Sequence, residues 1–191
     1  NAIIKNVLDD VGVIYATGPG VQPELLKIGE HFHVVNGWID HQGNEVEPLD
    51  EDAVYDAAAD LKHEGVQVAA VVSKFCTRHP DHEKRMARII KRQFDFVTLG
   101  HRLSGRLNVK RRIATAYYNA AVWRPFQQFM DAALKSTRDV GLVCPVHILK
   151  ADGGTLPAAA AREQPVQTIL SGPAASVMGV LAVHQPQTDA V

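Results

Sequence analysis

Residues 66–73 read Val-Gln-Val-Ala-Ala-Val-Val-Ser, and this stretch decides the fold class. An apolar run of this length, rich in β-branched side chains, predicts a strand that is covered on both faces. An alanine-rich helix is predicted before it, over residues 53–62, with Asp50 as its N-cap and Gly65 at its end. A second helix is predicted to open at residues 79–83, with Pro80 in its first turn. A buried strand between two helices is typical of a parallel α/β sheet.

The alternation of strands and helices continues on both sides of this central strand. Upstream, the pattern predicts a strand over residues 10–16, two strands over 31–35 and 37–40 joined by a hairpin turn at Asn36-Gly37, and a second turn at 41–44. Downstream, it predicts a strand over 94–99, helical structure over 109–136 with two helices or a kink at Pro125, strands over 145–150 and 165–170, and a helix over 174–183. The predicted fold is therefore α/β, with a mixed, largely parallel sheet and flanking helices.

Composition and charge argue against nucleic-acid and membrane partners. The 191 residues include 20 Lys and Arg against 21 Asp and Glu, so the formal net charge is −1. Such a balance provides no strong field to draw the chain toward nucleic acid. The apolar runs are far shorter than the roughly 20 residues that span a bilayer. The absence of a signal-peptide pattern and the presence of only two cysteines predict a cytoplasmic protein.

Short motifs along the chain resemble those of one family. Residues 150–154 read Lys-Ala-Asp-Gly-Gly, 165–168 read Pro-Val-Gln-Thr, and 171–179 read Ser-Gly-Pro-Ala-Ala-Ser-Val-Met-Gly. Upstream, 79–83 read His-Pro-Asp-His-Glu and 114–120 read Ala-Thr-Ala-Tyr-Tyr-Asn-Ala. In this order, the motifs resemble the hydantoinase A type subunit of the hydantoinase/oxoprolinase family. Ser176 replaces a usual glycine, and residues 109–112, Val-Lys-Arg-Arg, replace a stretch in which many members carry Glu before Arg.

The resemblance implies an internal segment of an ATP-dependent enzyme with an actin-like (ribonuclease H-like) ATPase fold. Residues 1–191 would form one domain or lobe, in which 1–75 end the N-terminal hydantoinase A region and 76–191 begin the core region. The parent would use ATP and Mg²⁺ to open a hydantoin or 5-oxoproline by phosphoryl activation, together with a hydantoinase B-type subunit or domain. The two Asp-x-Gly-Gly-Thr phosphate loops of the family are expected outside residues 1–191. The isolated segment is therefore expected to bind no cofactor firmly and to be inactive.

Two other functions stay open on the sequence. The parent could be a subunit of an ATP-dependent ketone carboxylase, or a non-catalytic assembly module whose long helices dock a partner subunit. A sheet edge exposed in the segment would favour a homodimer formed by strand pairing.

The candidate site residues lie in two loops and on one helix. Asp152 is the candidate catalytic residue, and the alternative is that it only forms an Asx turn. The candidates for substrate or nucleotide binding are Gly153, Gly154, Ser171, Gly172, Ala174 and Asn119. Residues 171–174 would either offer backbone N–H groups to an anion or form a tight packing turn. Asn119 would either contact substrate or bond to the backbone in the core.

Other reactive side chains have weaker functional interpretations. The pairs His79 with His82 and His31 with His33 lack a third ligand, so capping or surface roles are expected and no metal site is predicted. The adjacent residues Arg111 and Arg112 have two interpretations. Both could bind a carboxylate or phosphate group, or one of them could be a solvent-exposed charge on the surface of the helix. Cys76 lies just after a predicted strand, which is a position where catalytic nucleophiles occur. No neighbouring residue in the sequence lowers the pKa of its thiol, so a structural role is expected.

Overall fold

The computed structural model describes residue 3, residues 7–105 and residues 107–183. The chain divides into two compact units, Asn1–Val122 and Trp123–Val191, which are described separately below. Within the described residues, no helix is long and apolar enough to cross a membrane.

The described residues of the first unit form six strands and three α-helices. The strands are β1 (Val11–Ala16), β2 (Phe32–Val35), β3 (Trp38–Ile39), β4 (Glu45–Glu47), β5 (Val68–Ser73) and β6 (Phe96–Leu99). The helices are α1 (Glu51–His63), α2 (Asp81–Ile90) and α3 (Val109–Ala121), with short 3₁₀ segments at Pro23–Leu26 and Gly100–Arg102. A four-stranded sheet in the order β2-β1-β5-β6, with every pair parallel, forms the centre of this unit. The predicted α/β class with a largely parallel sheet is confirmed.

Helices cover both faces of this sheet. Every residue of β1 and β5 is buried, as the apolar run at 66–73 predicted. Alternate strand residues such as Ile14 and Val71 pack in one core cluster with Leu61 of α1 and Met86 of α2. The other buried strand residues, Tyr15 among them, face away from this cluster, and α3 contacts β1, β5 and β6. The central strands therefore have no solvent-exposed face, which explains why their sequence is apolar without alternation.

The predicted hairpin at Asn36-Gly37 is wrong. β2 pairs with β1 in the main sheet, whereas β3 pairs antiparallel with β4 in a separate two-stranded sheet. The chain changes sheets at Gly37, which has φ +126°, and a Cβ there would lie 2.6 Å from the Cα of Leu49. The antiparallel connection uses the second predicted turn, where the Asp40 carboxylate accepts hydrogen bonds from the backbone amides of residues 42 and 44 at 2.8 and 2.9 Å.

The helix boundaries follow capping and turn chemistry. Asp50 caps α1, because its Oδ1 accepts from the amide of Ala53 at 3.0 Å, and Gly65 follows the helix with φ +82°. The long helical stretch breaks at Val122 rather than at Pro125. Pro125 is the third residue of the next helix, and a proline in the first turn of a helix removes no intrahelical hydrogen bond.

The described residues of the second unit form three α-helices, one 3₁₀ helix and a small antiparallel sheet. The helices are α4 (Trp123–Asp139), α5 (Ala158–Glu163) and α6 (Ser171–Val183), and the strands are β7 (His147–Leu149) and β8 (Thr155–Pro157). The predicted strand over 165–170 is wrong, because Pro165–Thr168 form a 3₁₀ helix. The Thr168 hydroxyl donates to the carbonyl of Pro165 at 2.8 Å and closes this turn locally. β8 and α5 were not predicted from the sequence.

Candidate functional site

A cavity lies in the first unit, beside the residues that follow the carboxyl end of β5. At this end of the sheet, β1 leads to β2 on one side and neighbours β5 on the other. Open parallel sheets bind ligands at such points, where the strand order reverses. The cavity has a volume of about 90 Å³ and is lined by Lys74, Phe75, Leu107, Asn108, Val109 and Arg112.

The residues that follow β5 form one wall of the cavity. The amide of Lys74 donates to the carbonyl of Ala16 at 3.3 Å, which ties this wall to the end of β1. The Lys74 ammonium donates to the carbonyl of Pro19 and lies 5.2 Å from the centre of the Phe75 ring. Phe75 has φ +58°, in the left-handed region that side chains other than glycine rarely adopt. Two amides, of Arg78 and of residue 79, donate to its carbonyl and hold this turn.

The first turn of α3 forms the opposite wall. Asn108 is the N-cap of this helix, and its Oδ1 accepts from the amide of Arg111 at 3.0 Å. Its backbone carbonyl accepts the first helical hydrogen bond, from the amide of Arg112, also at 3.0 Å. The side chains of the two arginines differ in environment, because Arg111 is exposed whereas Arg112 is only 2% exposed and lines the cavity.

A buried carboxylate on α2 joins the ends of β5 and β6. Glu83 is 0% exposed. Its Oε1 accepts from the amide of Ser73 at 3.0 Å, and its Oε2 accepts from the amide and from Nδ1 of His101 at 2.8 and 2.6 Å. Gly100 packs closely against both this carboxylate and Arg112, since a Cβ there would be 3.0 Å from Glu83 Oε1 and 3.1 Å from Arg112 Cδ. Glu83 therefore fixes the loops beside the cavity through charge-assisted hydrogen bonds.

Two titratable groups near this carboxylate stay neutral. Burial, and then the Glu83 carboxylate, raises the pKa of the Cys76 thiol. Burial, and then Cys76, raises the pKa of Tyr15 to about 12. Cys76 is therefore protonated at neutral pH, as a structural rather than a nucleophilic cysteine is. Among the described residues, the buried hydroxyls of Tyr15 and Ser73 have no hydrogen-bond partner.

The predicted loop at residues 152–154 lies in the second unit and is a tight turn between β7 and β8. The Oδ1 atom of Asp152 accepts from the amide of Gly154 at 2.9 Å, which is the geometry of an Asx turn. Its Oδ2 pairs with the Lys150 ammonium at 2.8 Å, and this hydrogen bond is the main reason that the pKa of the carboxyl is lowered. Gly153 has φ +84°. A catalytic role for Asp152 stays a prediction.

The second predicted loop is the start of α6. Ser171 and Gly172 are the first two residues of the helix, and Ala174 lies in the same turn. Leu170 precedes them with φ +65°. The structure brings the two predicted loops near each other, because a Cβ on Gly153 would lie 3.2 Å from the sulfur of Met178 in α6. A binding role for these residues also stays a prediction.

Asn119 is fully buried in the first unit. Its Nδ2 donates to the Thr98 hydroxyl of β6 at 3.1 Å, so it ties α3 to the sheet. This contact favours the structural interpretation of Asn119, and its role as a substrate contact stays a prediction.

Of the histidines for which capping or surface roles were expected, His82 is buried, whereas His79 and His31 bind nearby groups. His82 is not on the surface: it is 0% exposed, and its Nε2 hydrogen-bonds to Glu45 at 2.7 Å, which joins α2 to β4. His79 Nδ1 hydrogen-bonds to the carbonyl of Gly43 at 2.9 Å, and His31 pairs with a surface glutamate. Within residues 7–105 and 107–183, no group of three or more His, Cys, Asp or Glu could hold a metal ion.

Sequence reasoning missed Lys74, Phe75, Asn108 and Glu83. The available signal was position, because Lys74 and Phe75 directly follow the most apolar strand and Asn108 precedes a helix. Glu83 gave a misleading signal, since an acid in the first turn of a helix ordinarily interacts with the helix dipole in solvent.

Two family models match most of the chain. The Hydantoinase/oxoprolinase N-terminal region matches residues 5–94, and Hydantoinase/oxoprolinase matches residues 112–191. Among curated proteins, caprolactamase subunit alpha of Pseudomonas jessenii is 28% identical over 167 residues, which are 86% of this chain and 24% of that protein. An uncharacterized protein of Methanocaldococcus jannaschii is 26% identical over 159 residues, 82% of this chain and 23% of that protein. The chain thus spans about a quarter of the length of these relatives.

Two solved structures share the fold. The crystal structure of the ATP-dependent caprolactamase from Pseudomonas jessenii has a TM-score of 0.82 at 25% identity, covering 97% of this chain and 30% of that chain. A nucleotide-free acetone carboxylase structure has the same TM-score and the same coverage at 19% identity, a likeness that concerns the fold alone.

Proposed function

The chain belongs to the hydantoinase/oxoprolinase family, and we propose that its parent protein is an ATP-dependent hydrolase that opens a cyclic amide. The observation that carries the proposal is the similarity to caprolactamase subunit alpha along 86% of the chain, because a solved relative of that name is described as ATP-dependent. The proposed substrates are a hydantoin, 5-oxoproline or a related lactam. The α/β fold, as part of an actin-like ATPase architecture, agrees with this family.

The proposed chemistry overcomes the low reactivity of the amide bond toward hydrolysis. Phosphorylation of the amide oxygen makes the carbonyl carbon a better electrophile and turns the oxygen into a leaving group, and Mg²⁺ neutralises phosphate charge during such a transfer. The resemblance places the two Asp-x-Gly-Gly-Thr phosphate loops of the family outside residues 1–191, which supports a nucleotide site elsewhere in the parent. We therefore propose that the parent binds ATP and Mg²⁺ through residues outside this chain.

A partner and a location complete the proposal. Caprolactamase subunit alpha is by name one subunit of a larger enzyme. By analogy, the parent would work with a second subunit or domain of the hydantoinase B type, in the cytoplasm. The isolated chain would form a homodimer through an edge strand of its sheet, β2 or β6. The boundary between the two family regions at residues 75 and 76 stays a prediction.

The test uses the parent protein purified together with its partner subunit. Caprolactam, hydantoin and 5-oxoproline are each supplied with and without ATP, and the ring-opened acid is measured together with ADP. Ring opening that requires ATP, with ADP formed in step, is the expected result. The 191-residue chain alone is expected to give neither product. ATP-dependent turnover by this chain alone would show that the nucleotide site lies within it.

A ketone carboxylase is the second candidate, because the family resemblance of the sequence motifs leaves this reaction open. The same preparation is assayed with acetone and bicarbonate in the presence of ATP. Carboxylation without lactam opening would replace the first proposal by this one. If neither reaction occurs in a complex that assembles stably, and if both phosphate loops of the parent sequence are degenerate, the parent acts as an assembly module.

A further inference from the structure

We propose that helix α6 (Ser171–Val183) is a core helix of the parent protein, enclosed on all sides by the part of the parent chain that lies outside these 191 residues. The occupant of its surface is thus an apolar packing surface of the parent's own polypeptide, rather than a second subunit or a second copy. The inference goes beyond the proposed function, because it concerns the packing of one helix and can be tested whether or not the parent opens a lactam.

Helix α6 is apolar around its whole circumference. Its 13 residues include no charged side chain, and the only polar side chains are those of two serines. None of the 13 residues is buried, and Val177, Met178, Val180 and Leu181 are between 40% and 52% exposed. A helix that is apolar on all sides is ordinarily enclosed in a protein core or in a membrane, so the exposed surface of α6 is a contact surface.

Helix α2 shows the arrangement that a helix at the protein surface ordinarily has. Its residues Met86 and Ile90 are buried, whereas Lys84 and Arg88 are exposed and carry charge. Helix α6 has no comparable charged side, so none of its sides is suited to water.

The size of α6 and its uniform surface select the occupant. At a rise of about 1.5 Å per residue and a diameter of about 10 Å, the helix is roughly 20 Å long and has a lateral surface of about 600 Å². It is too short for a bilayer, whose hydrocarbon core is about 30 Å thick. A second copy or a separate subunit that docks on the helix covers one side and leaves the opposite side in water. Enclosure on all sides requires the elements of one continuous core.

The relatives show that a parent of similar length supplies such elements. The matched residues make up only 24% and 23% of the two curated relatives. The solved caprolactamase shares the fold over 97% of this chain, which is 30% of that structure. Helix α6 lies within residues 112–191, which match the Hydantoinase/oxoprolinase family model. A parent of this kind would therefore carry about three quarters of its residues outside this chain, where they can enclose α6.

The experiment compares cysteine labelling of α6 in the 191-residue chain and in the full-length parent, purified without its partner subunit. Ser176→Cys, Leu181→Cys and Ala182→Cys are made one at a time in a Cys144→Ser background. At about 100° per residue, these three positions lie on different sides of the helix. Lys135→Cys, at an exposed charged position of α4, is the matched control. The rate of maleimide labelling at each new cysteine is measured by mass spectrometry of its peptide.

Labelling should depend on the length of the chain at the α6 positions only. In the isolated chain, all four variants should react rapidly, because all four positions are exposed there. In the parent, the three α6 variants should react at least about a hundredfold more slowly, since labelling then requires local opening of the core. The Lys135→Cys variant should change by less than about threefold, as expected for a position that stays in solvent.

Four results would overturn the proposal. The first is rapid labelling of α6 in the parent alone, and slowing on addition of the partner subunit would then assign the contact to that subunit. The second is protection at fewer than all three positions, which indicates docking on one side. The third is protection of the isolated chain at every concentration, which shows that α6 packs within this chain. The fourth is protection of the isolated chain that rises with concentration, which assigns the contact to a second copy.

Hydrogen exchange of the unsubstituted proteins is a second measurement that needs no variant. The amides of residues 176–183 should exchange at least about a hundredfold more slowly in the parent than in the isolated chain. Equal exchange rates in the two proteins would overturn the proposal even if a cysteine variant of the parent fails to fold.

Discussion

The buried carboxylate of Glu83 provides a sharp test of how the strand ends are held. Glu83→Gln replaces one of the two carboxylate oxygens by an NH₂ group, which is a hydrogen-bond donor. Both oxygens of Glu83 accept hydrogen bonds from Ser73 or His101, so the new donor faces another donor. The less damaging orientation puts the NH₂ group toward Ser73 and loses one charge-assisted hydrogen bond. The bonds to His101 also weaken, because their acceptor is no longer ionised.

The expected loss of stability follows from these bonds. Hydrogen bonds to charged groups contribute about 1.5–3 kcal/mol each, and a buried donor left without an acceptor adds to the cost. Glu83→Gln should therefore lower the free energy of unfolding by about 2–4 kcal/mol. For a chain of this length, 1 kcal/mol corresponds to a shift in Tm of roughly 2–4 °C, so a decrease of about 5–15 °C is expected.

The assay reports on the first unit alone. A Trp123→Phe background leaves Trp38, on β3, as the single tryptophan, and its fluorescence is followed in urea. Glu47→Gln on β4 is the matched control, because it removes the same charge at an exposed position and should change stability by less than about 0.5 kcal/mol. If the two variants differ by less than about 1 kcal/mol at equal m-values, Glu83 does not hold the strand ends as described.

Three further outcomes can be checked on the isolated chain. Gly37→Ala should lower the free energy of unfolding in urea by about 3 kcal/mol, because Gly37 combines a positive φ with a close backbone contact. Gly65→Ala is the control and should lower it by about 1 kcal/mol, because Gly65 also has a positive φ but has open space around it. Equal losses would contradict the close packing of Gly37. In the native chain, a thiol reagent should modify only the exposed Cys144. The buried Cys76, whose pKa is raised, should react only after unfolding. Rapid labelling of both cysteines in the native chain would show that Cys76 is not buried. The pKa of the Asp152 carboxyl, measured by NMR, should lie below 3.8. The ion pair therefore stabilises the fold at pH values above the unfolded-state pKa, and this stabilisation is lost as the pH falls through the folded-state pKa. An unshifted pKa would rule out the ion pair with Lys150.

The family and the elements of the main sheet could be predicted because each has a local signal. The apolar run of β5 lacks alternation, which only a strand covered on both faces tolerates, and Asp50 and Gly65 mark the ends of α1. Errors arose where a local signal was outweighed by packing. Asn36-Gly37 has the composition of a hairpin turn, but Gly37 fits closely against the backbone of Leu49 and directs the chain into a second sheet.

The sequence by itself determined the α/β class, the central strands and the family, because these depend on periodicity, capping and ordered motifs along the chain. Only the tertiary structure decided which polar residues come together. Lys74 and Arg112 are 38 positions apart in the sequence, and Glu83 reads as an ordinary acid of a first helical turn. They become neighbours because parallel strands place their carboxyl ends, and the loops that follow them, at one edge of the sheet. Burial then holds these charged groups in a fixed network beside the cavity, and burial is a property of the packed fold rather than of any local stretch.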